Sequence, residues 1–156
     1  MLNNRMSHLK NQPVRIFLAD DNQGDCVNFG KALSELNLYS RLTFVNNGEQ
    51  MIQILNLNET MPPDIIFLDV NMPVKNGYEC LDEIRSNPLF ANIPVIMMSV
   101  SNAVETVTKA YTHGASLFIC KPNSFPKLRE MLRQILAMEW DINVREISKN
   151  DFYMAL

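Results

Sequence analysis

Cysteine, histidine and concentrated basic charge are all scarce in this chain, and each scarcity narrows what the protein can be. The three cysteines, Cys26, Cys80 and Cys120, are odd in number, far apart and without CxxC spacing. They fit free thiols in a reducing cytoplasm better than disulfides or a zinc site. His8 and His113 are too few and too scattered to build a metal cluster. Lys and Arg number 14 against 17 Asp and Glu, with no dense basic block, which argues against nucleic acid as a main partner. No apolar run approaches the roughly 20 residues needed to span a bilayer, so no membrane segment is expected. Met1 to Gln12 is polar and has no apolar segment of the signal-peptide kind, which points to a cytoplasmic protein.

What is present suits one globular domain with short extensions. The length of 156 residues and hydrophobic content of 47% are ordinary for such a domain. A polar leader spans 1–12, the domain 13–138 and a tail 139–156. The chain is organised around Asp64-Ile65-Ile66-Phe67-Leu68-Asp69, four apolar residues between two acids, which predict a strand buried on both faces. Pro73 and Asn76-Gly77 are turn formers, so that strand must stop near Asp69. Further strands are predicted at Val14 to Ala19, Arg41 to Val45, Pro94 to Met98 and Leu117 to Cys120. Each is followed by an amphipathic stretch. The fourth stretch, about Asn102 to His113, places Val104, Val107 and Tyr111 at helical spacing, with Gly114 as its C-cap. Ser124 is placed to cap the fifth, which bears Phe125, Leu128, Leu132 and Ile135. Five strand–helix alternations with short connections predict an α/β fold, a doubly wound (βα)5 parallel sheet covered on both faces.

In such a sheet the carboxyl ends of the strands share one edge, where binding crevices form. Asp20 and Asp21 follow the first strand, Asp69 ends the third, Ser99 the fourth, and Lys121 follows the fifth. Each alone has an ordinary explanation as a cap, a turn residue or a solvated loop. Together they place three carboxylates, a hydroxyl and an ammonium in one crevice. Two carboxylates about 5 Å apart repel by roughly 3 kcal/mol at an effective dielectric near 20, so three require a cation or a proton. An oxygen-only ligand set with open positions suits Mg²⁺, completed by water and phosphate. The ammonium and hydroxyl are natural partners for phosphoryl oxygens. Asp69, central among them, is the candidate nucleophile.

With Asp20-Asp21, Asp69-Val70-Asn71-Met72-Pro73 with Gly77, Ser99 and Lys121-Pro122 in this order, the chain resembles the receiver domain of bacterial two-component response regulators over roughly Val14 to Met138. The resemblance implies a flavodoxin-like sheet in strand order 2-1-3-4-5. It implies phosphorylation of Asp69 by the phosphohistidine of a sensor histidine kinase or phosphotransfer protein. It also implies Mg²⁺, or Mn²⁺, held by Asp20, Asp21, Asp69 and the backbone carbonyl of Asn71. Lys121 and Ser99 would contact the phosphoryl group, and Ser99 with Phe118 would form the conformational switch. The Lys121–Pro122 bond is expected to be cis by the same resemblance.

Three positions depart from the family's pattern or tune its rate. Val100 stands where a very small residue is usual and is expected to crowd the phosphoryl group. Asn71 and Ser101 occupy positions that commonly tune hydrolysis, and neither is an acid, so a fairly long-lived phosphoform is expected. The tail after Met138 is too short for a DNA-binding or catalytic module, which suggests a stand-alone receiver that signals by protein contact, possible as a homodimer. The tail holds the sole tryptophan, Trp140, and ends in the aromatic and apolar Asp151-Phe152-Tyr153-Met154-Ala155-Leu156, so it is expected to dock on the domain or on a partner chain. Three other readings compete. A haloacid dehalogenase-type phosphohydrolase wants an acid two residues after its nucleophile, where Asn71 stands. A flavin-binding protein wants a Ser, Thr and Gly-rich phosphate loop in place of Asp20-Asp21-Asn22. A receiver-like scaffold that is never phosphorylated is favoured by Val100 alone.

Overall fold

A computed structural model describes residues 11–57, 61–138, 140 and 152–154. Most of the leader, His8 and the tail residues 141–151 lie outside them. Strands β1 (Val14–Ala19), β2 (Ser40–Val45), β3 (Ile65–Asp69), β4 (Val95–Ser99) and β5 (Leu117–Cys120) alternate with helices. The helices are α1 (Gln23–Ser34), α2 (Gly48–Leu55), α3 (Gly77–Ser86), α4 (Val104–Thr112) and α5 (Phe125–Ala137). The strands pair in parallel in the order β2-β1-β3-β4-β5, as the resemblance implies.

A sixth strand, β6 (Tyr153–Met154), extends the sheet beside β5. It adds to the five expected strands and leaves their order unchanged. A two-residue strand is too short to leave an alternating pattern in sequence. It docks because β5 would otherwise be an edge strand with unpaired N–H and C=O groups.

Strand alternation divides the core into two layers. On one face Ile16, Leu18, Ile65, Phe67, Ile96 and Ile119 pack under α1 and α5, meeting Phe29, Leu33, Leu132 and Ile135. On the other, Phe17, Ile66, Leu68, Met97 and Phe118 meet Met51, Leu81 and Ile84 of α2 and α3. Central strand β3 is buried along its whole length, which is why it reads as a continuous apolar run.

Asparagines set three helix starts. The side chains of Asn22, Asn47 and Asn76 accept the backbone N–H of Asp25, Gln50 and Glu79, and Glu79 completes a capping box with Asn76. Ser124 occupies the corresponding place before α5 but makes no side-chain cap bond, and Pro126 in the first turn removes an N–H that would need one. Helix α4 also differs from expectation. Val104 is 81% exposed and Tyr111 37%, whereas the small Ala110 is the residue buried against the sheet. Val107 of the same stripe packs against the core and Tyr111 meets Phe152, so the spacing marked the inner side of the helix while Val104 falls outside it. Gly114, with φ +91°, follows the helix end in the left-handed conformation that terminates helices cheaply only at glycine.

Candidate functional site

The carboxyl edge of the sheet gathers the polar residues that the sequence places there. Asp20 leaves the end of β1, Asp69 and Ser99 are the last residues of β3 and β4, and Lys121 follows β5. Asp20, Asp69 and Ser99 are all buried. Carboxylate oxygens of Asp20, Asp21 and Asp69 lie within 4.8 Å of one another, with Asp21 on the exposed side. That set of hard oxygen donors, incomplete as a coordination sphere, fits a divalent ion that keeps water or phosphate ligands.

One ammonium holds the acids together. Lys121 Nζ lies 2.7 Å from Asp20 Oδ2, 3.0 Å from Asp25 Oδ2 and 3.3 Å from Asp69 Oδ2. The other oxygen of Asp20 accepts the N–H of Asn22 at 2.9 Å. Burial pushes the Asp69 carboxyl up to about 6, against the pull of Lys121 and with a further push from the charge of Asp20; a bond from the Asn71 backbone opposes the rise. Burial disfavours the charged form of Lys121, but its bonds to Asp20 and Asp25 and the Asp69 charge outweigh it and hold its pKa above the ordinary value. Cys26 beneath the site is pushed up to about 11, first by burial and then by Asp20 and Asp25, so it is an unreactive thiol.

The other candidates are placed as follows. The Ser99 hydroxyl accepts the backbone N–H of Ser101 at 3.1 Å, and the Lys121 N–H bonds the Ser99 carbonyl at 2.8 Å. Ser101 is exposed, and its hydroxyl accepts the N–H of Ala103 at 3.3 Å. Val100 is 77% exposed, and Asn71 is also exposed. Phe118 is fully buried, two strands from Asp69 on the face under α3 and α4, and Pro122 is half-buried. No cis peptide bond occurs among the described residues, so Lys121–Pro122 is trans, contrary to expectation. The trans preference before proline is small, and the surrounding chain decides it.

The loop carrying Asn71 is pinned at three points, of which the sequence pointed only to Gly77. Gly77 N–H bonds the carbonyl of Val70 at 2.9 Å, and a Cβ at Gly77 would fall 2.3 Å from the carbonyl oxygen of Asp69. Gly48 N–H bonds the carbonyl of Lys75 at 3.0 Å. The Lys75 ammonium bridges Glu49 on α2, at 2.8 Å, and Glu83 on α3. Between these anchors Val74 adopts φ +68°, a left-handed conformation that a β-branched residue rarely takes. Asp25 was also missed. It reads as a first-turn helix acid, and its one sequence signal is its position four residues after Asp21, on the same side of the helix start.

Comparison with known proteins agrees with this geometry. The model of the response regulator receiver domain matches residues 16–148. The nitrate/nitrite response regulator protein NarL of Escherichia coli is 34% identical over 128 residues, covering 82% of this chain and 57% of NarL. Response regulator Rcp1 of Synechocystis sp. is 28% identical over 134 residues, covering 83% of this chain and 91% of Rcp1. Among solved structures, the phosphorylated cyanobacterial phytochrome response regulator RcpA superposes with TM-score 0.74 at 28% identity, covering 79% of this chain and 91% of RcpA. The Mn²⁺-bound form of Rcp1 gives TM-score 0.73 at 25% identity, over 83% of this chain and 96% of the other. With the acids, the hydroxyl and the lysine on their strand ends and a family match along most of its length, this chain belongs to the response regulator receiver domains of two-component signal transduction.

Proposed function

We propose that this receiver is a phosphoacceptor switch in which Asp69 takes a phosphoryl group from the phosphohistidine of a partner histidine kinase or phosphotransfer protein. An Asp69 carboxylate oxygen attacks phosphorus, the phosphorus–nitrogen bond breaks, and the imidazole leaves with the electron pair. Asp20, Asp21, Asp69 and the Asn71 carbonyl would hold Mg²⁺, or Mn²⁺, which neutralises charge on the acids and the phosphoryl oxygens when bound. Lys121 orients and neutralises a second phosphoryl oxygen, and Ser99 leaves Ser101 to donate to a third. The movement of Ser99 is coupled to Phe118, and the altered surface is read by another protein. Asn71, Val100 and Ser101 border the route by which water reaches the phosphoryl group and set the rate of its loss. The protein works in the cytoplasm, with no nucleic acid or membrane partner, and does no chemistry beyond self-catalysed phosphorylation and dephosphorylation.

The observation that carries this is the Lys121 ammonium 3.3 Å from Asp69, beside two further carboxylates. The test is incubation with acetyl phosphate and Mg²⁺ followed by intact mass. A single phosphoryl adduct is expected, absent in Asp69→Asn and after chelation. An adduct that persists in Asp69→Asn would move the acceptor elsewhere. Multiple turnover of small phosphoesters would favour a phosphohydrolase instead, which the amide at Asn71 speaks against.

A further inference from the structure

The Lys121 ammonium is shared among three carboxylates. It donates hydrogen bonds to Asp20 and Asp25 and pairs with Asp69 at 3.3 Å. A phosphoryl group on Asp69 draws the ammonium toward itself, against the pull of the two bonded carboxylates. Asp69 is the reacting group itself. The Asp20 side chain is 2% exposed and its other oxygen is held by the Asn22 N–H, so it is fixed within the site and cannot turn out to bulk water. The Asp25 side chain is 47% exposed. It also borders a cavity of about 290 Å³ between α1 and α5, so its carboxylate can be rehydrated at little cost when released.

We infer that Asp25 is a positioning residue that holds the Lys121 ammonium in its resting place and opposes the phosphorylated state by competing for it. This rests on the phosphoacceptor function above. The Asp25–Lys121 pair is made at the expense of a contact between Lys121 and the phosphoryl group, so the resting pair has to weaken as the phosphorylated state forms. Removing the carboxylate should therefore favour phosphoryl-like ligands on Asp69. Asp25 lies in the first turn of α1, where an acid also favours the helix dipole, so thermal stability has to be measured alongside.

The experiment is titration of the full chain with beryllofluoride at fixed Mg²⁺, followed by isothermal calorimetry, for wild type, Asp25→Asn, Asp25→Ser and Asp25→Glu. Asp25→Asn and Asp25→Ser are expected to bind about two- to fivefold tighter than wild type, the range for a partly exposed ion pair, and Asp25→Glu near wild type. In a Lys121→Met background the Asp25→Asn gain should vanish, because Asp25 acts through that ammonium. Equal or weaker binding by both neutral variants would overturn the inference, as would a gain that survives in Lys121→Met, which marks plain charge repulsion. Wild-type protein that binds no beryllofluoride at all would instead remove the phosphoacceptor function, and this inference with it.

Discussion

Tyr153 of β6 lies in register with Phe118 of β5, and the two rings lie 6.0 Å apart with 32° between their planes. The backbone repeats the link, since the Phe118 N–H donates to the Phe152 carbonyl at 2.9 Å. The residue proposed as the switch aromatic is thus covered by a strand from the end of the chain.

That strand should be held chiefly by one side chain. Phe152 is 1% exposed and meets Tyr111 of α4 edge-on, with centroids 5.2 Å apart. A Phe→Ala change in a rigid core costs about 3–5 kcal/mol, but a two-residue strand can detach instead of leaving a cavity, which limits the loss to about 1–3 kcal/mol. Phe152→Ala should lower stability to urea by that amount. It should also speed hydrogen exchange at the Phe118 amide, whose acceptor would be gone. Unchanged exchange there would show that β6 holds without its phenylalanine.

The raised pKa of Asp69 fixes a pH dependence. Between its ordinary value of 3.8 and about 6, the folded protein keeps a proton there that the unfolded chain has lost. Stability from this group is therefore fullest at low pH and falls as pH rises toward 6. Other carboxylates titrate in the same region, so the useful quantity is the difference between Asp69→Asn and wild type without divalent ions. Asp69→Asn should match wild type near pH 4 and exceed it at pH 7 by on the order of 1–3 kcal/mol, measured by urea unfolding. A difference that stays constant across this range would mean that Asp69 is not perturbed. Added Mg²⁺ should stabilise wild type more at pH 7 than at pH 5, because the ion needs the ionised carboxylate.

The parts of this molecule that sequence made legible are those that repeat or terminate. Continuous apolar runs such as Ile65–Leu68 marked buried strands, and a charged or hydroxyl residue at the end of four of the five main strands marked the site. What remained hidden depends on contact across the fold. Asp25 and Lys121 are 96 residues apart, and nothing local distinguishes that acid from any first-turn carboxylate. Lys75 likewise reads as a loop cation until α2 and α3 bring Glu49 and Glu83 to it. The α4 stripe was informative only in part: Val107 packs against the core, Val104 does not, and the innermost residue is Ala110, whose small side chain carries little weight in an apolar pattern.

Gly77 should tolerate no side chain. It has an ordinary φ, so the constraint is space and not backbone freedom. A Cβ there would sit 2.3 Å from the Asp69 carbonyl oxygen and 2.8 Å from Met97 Cε. The methionine can move, but the carbonyl belongs to the strand residue that carries the nucleophile. Gly77→Ala should destabilise by about 1–3 kcal/mol through overpacking. It should also weaken Mg²⁺ binding severalfold by calorimetry, because Asp69 and Asn71 flank the displaced backbone. Wild-type affinity in a folded Gly77→Ala variant would show that the strand end absorbs the clash without moving its ligands.

Val74 offers the opposite case, a position where removing a side chain should help. Its φ of +68° strains a β-branched residue, and at 81% exposure the side chain gives little burial in return. Left-handed strain is of the order of 1–3 kcal/mol, while glycine's extra freedom in the unfolded chain costs roughly 0.5–1 kcal/mol. Val74→Gly should therefore stabilise by about 0.5–1 kcal/mol in urea unfolding. Asparagine, which tolerates this conformation, should recover part of that gain, and alanine less, because it keeps the Cβ that causes the clash. The expected order of stability is Gly, Asn, Ala, Val. If Val74→Gly were instead less stable than wild type, the loop between Asp69 and Gly77 would draw its conformation from the Val74 side chain and not from the Lys75 bridge and the Gly48 and Gly77 hydrogen bonds that flank it.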